Sequence, residues 1–92
     1  MTKKEKRLQK MRQNPKNVTY DILITVLQEH GFEVTDGKGS HTRVRANIEG
    51  RVWRDTIVKP HGNRKNVHQA AVKKALKAID EIQAWKAQLA ES

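Results

Sequence analysis

Cysteine is absent from this 92-residue sequence, and so is any long apolar run. Without cysteine the chain can form no disulfide, no thiolate metal site and no cysteine nucleophile. This composition fits a reducing compartment, and we expect a cytoplasmic protein. No apolar run reaches the length that spans a bilayer, and no apolar segment follows the charged N-terminus. We therefore expect no membrane partner.

The motifs that usually carry metal or hydrolase chemistry are also missing. The sequence has no HExxH motif and no serine in a hydrolase elbow, and its acidic residues are scattered. A two-metal nuclease needs convergent carboxylates, so that mechanism is disfavoured. In the Gly-Lys-Gly run at residues 37–39 the lysine is followed by glycine, and not by the Ser/Thr and helix of a phosphate loop. We expect neither a metal nor another cofactor.

Acidic residues are few beside the basic ones, with 10 Asp and Glu against 19 Lys and Arg. The formal net charge is therefore +9 at pH 7. A charge so far from zero indicates a polyanionic partner such as RNA or DNA. The length of the chain suffices for one domain with a single modest core.

The first 17 residues form a basic N-terminal extension whose only acid is Glu5. We interpret it either as a short helix docked through Leu8 and Met11 or as a disordered arm. Its cations can attract phosphate without sequence specificity, or can simply keep the chain soluble. Residues 18–90 are assigned to the domain proper.

The rest of the chain alternates between helical and strand periodicity. A helix is predicted at residues 20–30, capped by Thr19 and ended by Gly31. A second helix is predicted from an Asn66 cap to about residue 89. Between them, period-two stretches predict strands at residues 32–35, 40–46 and 51–58. Apolar residues occur at both odd and even positions of the third strand, which leaves its facing ambiguous and suggests either a bulge or a strand covered on both sides at one end.

These elements predict an α+β domain of order α-β-β-β-α. The three strands are expected to form an antiparallel sheet with both helices packed on one face. The other face would then be open to a ligand. His30 closes the first helix, where the helix dipole favours a cation, and His68 is given no role.

The stretch from Gly39 to Arg45 is the strongest candidate for a functional site. A strand's period of two places His41, Arg43 and Arg45 on one face and more apolar residues on the other. An imidazole can exchange protons near neutral pH, and guanidinium groups bind phosphate bidentately. We expect these three side chains on the open face of the sheet, where His41 is either a candidate catalytic base or a structural or surface residue.

Further cations and a second histidine can hold phosphate. His61, at the end of the third strand and close to Lys65, is a candidate phosphate ligand or second proton carrier. Lys38 precedes His41, and three lysines of the last helix lie off its apolar stripe. These three can follow an RNA backbone or equally form a solvated helix face. The candidate RNA-binding residues are Lys38, Arg43, Arg45, His61, Lys65, Lys73, Lys74 and Lys77.

The run LQEHGFEVTDGKGSHTRVR, a strand ending IVKPHG and a closing helix together resemble the HicA family of toxin ribonucleases. The resemblance extends over about residues 14–82. Many relatives carry a second histidine where this chain has Thr42. The most specific matching features are Gly31-Phe32 after the first helix, Gly39-Ser40-His41 at the second strand and Pro60-His61 after the third.

The resemblance implies a fold similar to the double-stranded-RNA-binding domain, in the toxin of a type II toxin–antitoxin system. Such a toxin is implied to cleave mRNA without a metal and to be neutralised by a HicB-type antitoxin. The histidine of the family's Gly-Ser-His motif, its catalytic residue, corresponds to His41. Whether His61 or water would protonate the leaving oxygen stays open.

Two other functions fit the same sequence. One is a non-catalytic domain that binds double-stranded RNA through the lysines of the last helix and the basic extension. The other is a DNA-binding accessory protein. For a toxin, we expect the antitoxin to cover the His41 face. Trp85 and Leu89 drift away from the apolar stripe of the last helix, so they are expected to overhang the core as supplementary contacts.

Overall fold

A computed structural model describes residues 2–60 and 62–91 of the chain. Its strands form one antiparallel sheet in the order β1-β2-β3. The predicted α+β fold is confirmed, and the basic extension adds one helix before the five predicted elements. The elements are α1 (Lys3–Gln13), α2 (Tyr20–Glu29), β1 (Glu33–Asp36), β2 (His41–Ile48), β3 (Arg51–Val58) and α3 (Gln69–Glu91).

The basic extension is a helix docked on the domain. Met11 is 1% exposed and belongs to the core, and the leucine three residues before it packs against that core. Arg7 pairs with Glu29 of α2, and Arg12 pairs with Asp80 of α3, each at 2.6 Å. Of the two interpretations of this segment, the structure shows the docked helix.

The helix α2 begins and ends at its predicted caps. The Thr19 hydroxyl accepts a hydrogen bond from the Ile22 amide at 3.3 Å. At the other end Gly31 has a φ of 95°, and the Phe32 amide donates to the Leu27 carbonyl at 3.0 Å. This is the Schellman arrangement, which satisfies the last carbonyls of the helix and directs the chain into β1.

The sheet has one face covered by helices and one open face. Along β2, Thr42, Val44 and Ala46 are buried, while the odd-numbered residues from 41 to 47 are exposed. The buried residues share one core with the inner sides of α2 and α3. Both helices therefore lie on the same side of the sheet, as predicted.

The strand β3 pairs with β2 residue by residue over its whole length. Trp53 and Ile57 lie on the covered face, opposite Ala46 and Thr42 of β2. Val52 and Val58 lie on the open face and are 40% and 47% exposed. The bulge that the sequence suggests is wrong, because two exposed valines account for apolar residues at both parities.

A two-residue turn sets the register of β2 and β3. Glu49 and Gly50 have φ values of 51° and 93°, as a type I′ turn requires. The Asn47 side chain accepts a hydrogen bond from the Gly50 amide at 2.9 Å. Because a slip by one residue would turn every side chain to the other face, this turn determines which β2 residues are exposed.

The helix α3 begins three residues after the predicted Asn66 cap. Asn66 instead forms an isolated β-bridge with Thr19, which ties the loop to the start of α2. His68 precedes the first helical residue, and its Nδ1 accepts a hydrogen bond from the Ala70 amide at 3.1 Å. The histidine without a predicted role therefore caps the helix.

The last turns of α3 pack on the β2–β3 hairpin. The Arg51 guanidinium lies 4.0 Å from the centroid of the Trp85 ring, a cation–π contact. Trp85 also packs against the core and is half-buried. It differs in this respect from the overhanging contact residue that the sequence predicts.

His30 is a buried polar residue at the end of α2. Its ring is 8% exposed, and Nε2 has no hydrogen-bond partner among the described residues. Burial lowers the pKa of His30, and the cations Lys4, Lys86 and Arg12 lower it further against an opposing effect of Glu29. The predicted place of His30 at the end of the helix is confirmed, because it is the C-cap residue of α2, and its burial disfavours the charged form of the ring.

The docking of α1 predicts a strong effect of one core substitution. Met11→Ala is expected to lower the free energy of unfolding by about 2–5 kcal/mol, because it leaves a cavity beneath α1. Lys10→Ala, on the exposed side of the same helix, is expected to change it by less than about 0.5 kcal/mol. Urea unfolding measures both changes. An effect of Met11→Ala as small as that of Lys10→Ala would show that α1 does not contribute to the stability of the folded unit.

The burial of His30 predicts that mild acid destabilises the protein. The pKa of His30 is lower in the folded state than in the unfolded chain. At a pH above the unfolded-state pKa of about 6.5 the ring is neutral in both states, so its burial costs no stability through protonation. Stability is then lost as the pH falls below that value toward the folded-state pKa. The midpoint of urea unfolding between about pH 7.5 and 5.5 should fall less in His30→Gln than in the wild type. A pH dependence of the midpoint in His30→Gln equal to that of the wild type would contradict the prediction.

Candidate nucleic-acid interface

The open face of the sheet collects basic side chains from β2 and β3. We define as the basic face His41, Arg43 and Arg45 of β2 together with Arg54 of β3, all four of them exposed. The register places Arg45 directly opposite Arg54. Like charges opposite each other destabilise a sheet, so this pair opposes folding. A bound polyanion would offset that repulsion.

The guanidinium groups of the basic face have few carboxylate partners. Arg45 Nη1 lies 3.5 Å from the Glu33 Oε2 on β1, and both side chains are exposed. Such a pair contributes little to stability. Among the described residues, Arg43 and Arg54 form no ion pair with a carboxylate. These two guanidinium groups can therefore bind an external anion without breaking a contact.

The arginines of the basic face surround one shallow cavity. Its volume is about 550 Å³, and Arg43, Arg45 and Arg54 all line it. Thr35 and Thr56 add hydroxyl groups to the same wall. Convergent guanidinium groups with hydroxyl donors beside them suit the oxygens of a phosphate group.

His41 stands at the rim of the basic face, where the β1–β2 loop closes on β2. Its carbonyl accepts a hydrogen bond from the Gly37 amide at 2.9 Å, and its amide donates to the Lys38 carbonyl at 3.3 Å. A side chain at Gly37 would place its Cβ 3.1 Å from the His41 carbonyl and 3.6 Å from the Arg43 side chain. Glycine therefore lets the loop lie against both residues.

The residue after His41 belongs to the core and not to the basic face. Thr42 is fully buried, and its hydroxyl oxygen lies 2.5 Å from the Tyr20 hydroxyl of α2. This side-chain bond joins the strand that carries His41 to the first turn of a helix. The identity of the residue at position 42 therefore affects the support of the site rather than its exposed surface.

A second contact closes the same end of the sheet behind His41. Lys59 Nζ lies 3.0 Å from Asp36 Oδ1 and 5.8 Å from the centroid of the Tyr20 ring. The hydrogen bond to Asp36 raises the pKa of Lys59. The Lys59 amide also donates to the Ser40 carbonyl at 2.7 Å. The strand ends on both sides of His41 are thus joined by backbone and side-chain bonds.

The predicted lysines of α3 are not brought to the basic face. Lys73, Lys74 and Lys77 are exposed on a helix that covers the other face of the sheet. Lys74 Nζ lies 3.3 Å from Asp55 Oδ1 and 3.4 Å from the Thr56 carbonyl. These lysines follow the outer edge of β3 and form a separate basic surface.

The remaining predicted site residues lie in loops. Lys38 is exposed in the β1–β2 loop beside His41, and Lys65 is exposed in the loop before α3. His61 lies outside the described residues. Lys38 is therefore the predicted lysine that stands closest along the chain to the candidate base.

Arg54 is not among the site residues predicted from the sequence. The face on which the Arg54 side chain lies depends on the register of β3. That register cannot be read from alternation, because apolar residues occur at both odd and even positions of the strand. The signal that reveals it is the turn at Glu49-Gly50, because positions equally distant from a two-residue turn face each other. Counting outward from that turn pairs Arg54 with Arg45, as the structure shows.

Neither a metal-ligand cluster nor a membrane-spanning helix occurs in the part of the chain that the structure describes. Groups of three or more His, Asp or Glu side chains that could hold a metal ion are absent there. The helices in this part also lack the length and apolar character needed to cross a bilayer.

Comparison with known families gives one match. The family model described as "HicA toxin of bacterial toxin-antitoxin" matches residues 20–80. The matched range begins at the first residue of α2, includes all three strands and ends within α3. The helix α1 lies before it. No curated protein and no solved structure gives a significant match.

Proposed function

The chain belongs to the HicA toxin family of bacterial toxin–antitoxin systems, and from this premise we propose that it is an mRNA-cleaving endoribonuclease. The observation that carries the proposal is the basic face, which presents His41 beside arginines that have few partners of their own. We further propose that residues 18–90 are the HicA-like domain, that residues 1–17 are an addition to it, and that the toxin acts in the cytoplasm.

The proposed reaction uses a nucleophile that RNA itself supplies. The 2′-hydroxyl of one nucleotide attacks the adjacent phosphorus, and the bond from phosphorus to the next nucleotide's 5′-oxygen breaks. His41 removes the proton from the 2′-hydroxyl, for which its ring must be neutral. The products are a 2′,3′-cyclic phosphate and a 5′-hydroxyl. The leaving 5′-oxygen takes its proton from water or from His61.

The arginines stabilise the charge that develops on the phosphate. Arg43 stands two residues from His41 on the same face and lines a cavity that Arg54 enters from β3. Guanidinium groups already in place need no reorganisation as charge accumulates on the non-bridging oxygens. Lys38, in the loop beside His41, adds a further cation.

These few groups are enough for a slow degradative enzyme. One positioned base accelerates proton transfer by about 10² to 10⁴. One fixed donor to the developing oxyanion adds about 10² to 10³. Together they provide roughly 10⁴ to 10⁷, so the proposed mechanism needs no metal step.

The family membership implies an antitoxin, and the charge of the chain suggests how it binds. We propose a HicB-type antitoxin that presents acidic groups to the basic face, because complementary charge accelerates association and excludes unsuitable partners. Such an antitoxin would cover His41 and occupy the phosphate site together. RNA and antitoxin would then compete for one surface.

The proposed mechanism predicts a selective loss of cleavage. His41→Ala is expected to lower the rate of RNA cleavage by about 10² to 10⁴, because it removes the base. Folding and RNA affinity should change little, since the side chain is exposed. The measurement is cleavage of single-stranded RNA in the presence of EDTA, beside growth after induction in cells. DNA of the same sequence, without a 2′-hydroxyl, should remain intact.

An equally active and equally toxic His41→Ala protein would contradict the catalytic role of this residue. RNA binding without cleavage by the wild type would favour the non-catalytic double-stranded-RNA-binding alternative. Binding of duplex DNA with no effect on RNA would favour the DNA-binding accessory protein.

The basic face also predicts a change in the salt dependence of RNA binding. Arg54→Ala should weaken binding and reduce the slope of log K against log salt by about 0.7, the value for one phosphate contact on a single strand. Lys86→Ala removes the same charge from the far end of α3 and should leave the slope near that of the wild type. Fluorescence anisotropy with a labelled 2′-O-methyl RNA measures both. Equal slopes for the two variants would remove Arg54 from the interface.

A further inference from the structure

A second cavity lies at the C-terminal end of β3, outside the basic face. Its volume is about 400 Å³, within the range of about 300–1,000 Å³ typical of small-molecule pockets. The end of β3, the loop after it and the first turn of α3 enclose it. Its walls combine the apolar residues Ile57, Val58, Pro60 and Ala71 with a polar rim that includes Arg64, Asn66 and His68.

This cavity adjoins the proposed catalytic base. Val58, one of its walls, is the register partner of His41 across the β2–β3 pair. Neighbouring strands lie about 4.8 Å apart, so the cavity opens about one strand spacing beyond His41. An RNA strand held on the basic face with a phosphate at His41 would therefore bring an adjoining nucleotide to the mouth of the cavity.

The rim of the cavity offers hydrogen-bonding groups that the fold does not use. Arg64 is exposed and forms no ion pair with any described carboxylate. The side-chain nitrogen of Asn66 donates a hydrogen bond to the Lys16 carbonyl at 3.5 Å, and the side-chain oxygen has no partner among the described residues. His68 uses Nδ1 for the helix cap and keeps Nε2 for another contact.

We propose that this cavity binds one nucleobase next to the scissile phosphate and gives cleavage its base preference. The proposal rests on the proposed function of the basic face. A nucleobase has two flat apolar faces and a polar edge, which match the apolar walls and the polar rim. Unstacked bases of single-stranded RNA are read in this way, by contacts to their faces and hydrogen bonds to their edges.

The charge of the chain favours RNA over a protein segment as the occupant. The net charge is +9, and Arg64 adds a cation with no described acidic partner to the rim. The basic face offers an imidazole and guanidinium groups, which suit the oxygens of phosphate groups. A strand whose phosphates lie on that face can place a base in this cavity, which adjoins the face at Val58, the register partner of His41.

Two substitutions test the cavity without touching the basic face. Ala71→Leu fills it from the α3 wall, and Arg64→Ala removes a rim group from an exposed loop. The matched controls are Ala84→Leu and Lys86→Ala, which make the same kind of change at exposed positions farther along α3. Thermal unfolding of every variant checks the fold. If Ala71→Leu does not fold, Arg64→Ala decides the test.

The measurement maps cleavage sites on a degenerate single-stranded RNA by sequencing the new 5′-hydroxyl ends. The wild type should prefer certain bases at one position beside the cut. Both cavity variants should reduce that preference, and kcat/KM on the preferred sequence should fall by about tenfold. The controls should keep the wild-type preference. Affinity for a 2′-O-methyl RNA of the preferred sequence should fall in parallel.

Cavity variants with the wild-type preference, or a wild type that cuts without preference, would overturn this inference and leave the proposed function intact. Unchanged preference with lost neutralisation by the co-expressed antitoxin would also overturn it, in favour of a protein occupant. A wild type that neither cuts nor binds RNA would overturn the proposed function and this inference with it.

Discussion

The pairing of β2 with β3 in one register is the constraint on which the site depends. A shift by one residue would expose Thr42 and Val44 and turn His41 and Arg43 toward the helices. Burying a guanidinium without a carboxylate partner costs several kcal/mol, so the shifted pairing is strongly disfavoured. The same core that stabilises the domain therefore determines that the imidazole and the guanidinium groups face outward. The register of β2 and β3 thus determines both the packing of the covered face and the set of side chains on the open face.

The basic face makes the sheet less stable, and other parts of the molecule supply stability. Arg45 and Arg54 face each other across the two strands, and the exposed Glu33 compensates only weakly. The covered face contributes a continuous aliphatic core. The helix α1 extends that core with Met11, although it lies before the residues that match the family. We therefore interpret this helix as support for a domain whose open face carries unfavourable charge.

Local patterns in the sequence predict most of the fold, because caps and alternation act over a few residues. The Thr19 cap, the Gly31 end of α2 and the exposed side of β2 follow from such patterns. The start of α3 does not, because a histidine nitrogen rather than the Asn66 side chain caps it. The position of Arg54 on the open face does not follow from alternation either, because exposed valines place apolar residues at both odd and even positions of β3. Both depend on pairings between distant segments: the bridge that holds the loop before α3, and the hairpin register.

Positive charge occurs both on the basic face and on the lysines of α3, so charge alone does not distinguish the two surfaces. The positions of the described histidines distinguish them. His30 is buried at the end of α2, and His68 is engaged by its Nδ1 in capping α3. His41 is exposed on the open face of the sheet, on the same strand as Arg43 and Arg45. The lysines of α3 can attract a polyanion, and His68 lines a cavity with Lys74, but its Nδ1 is already engaged in the helix cap. The proposed cleavage needs a base and cations at one phosphate, and the open face of the sheet presents an imidazole and guanidinium groups on one surface.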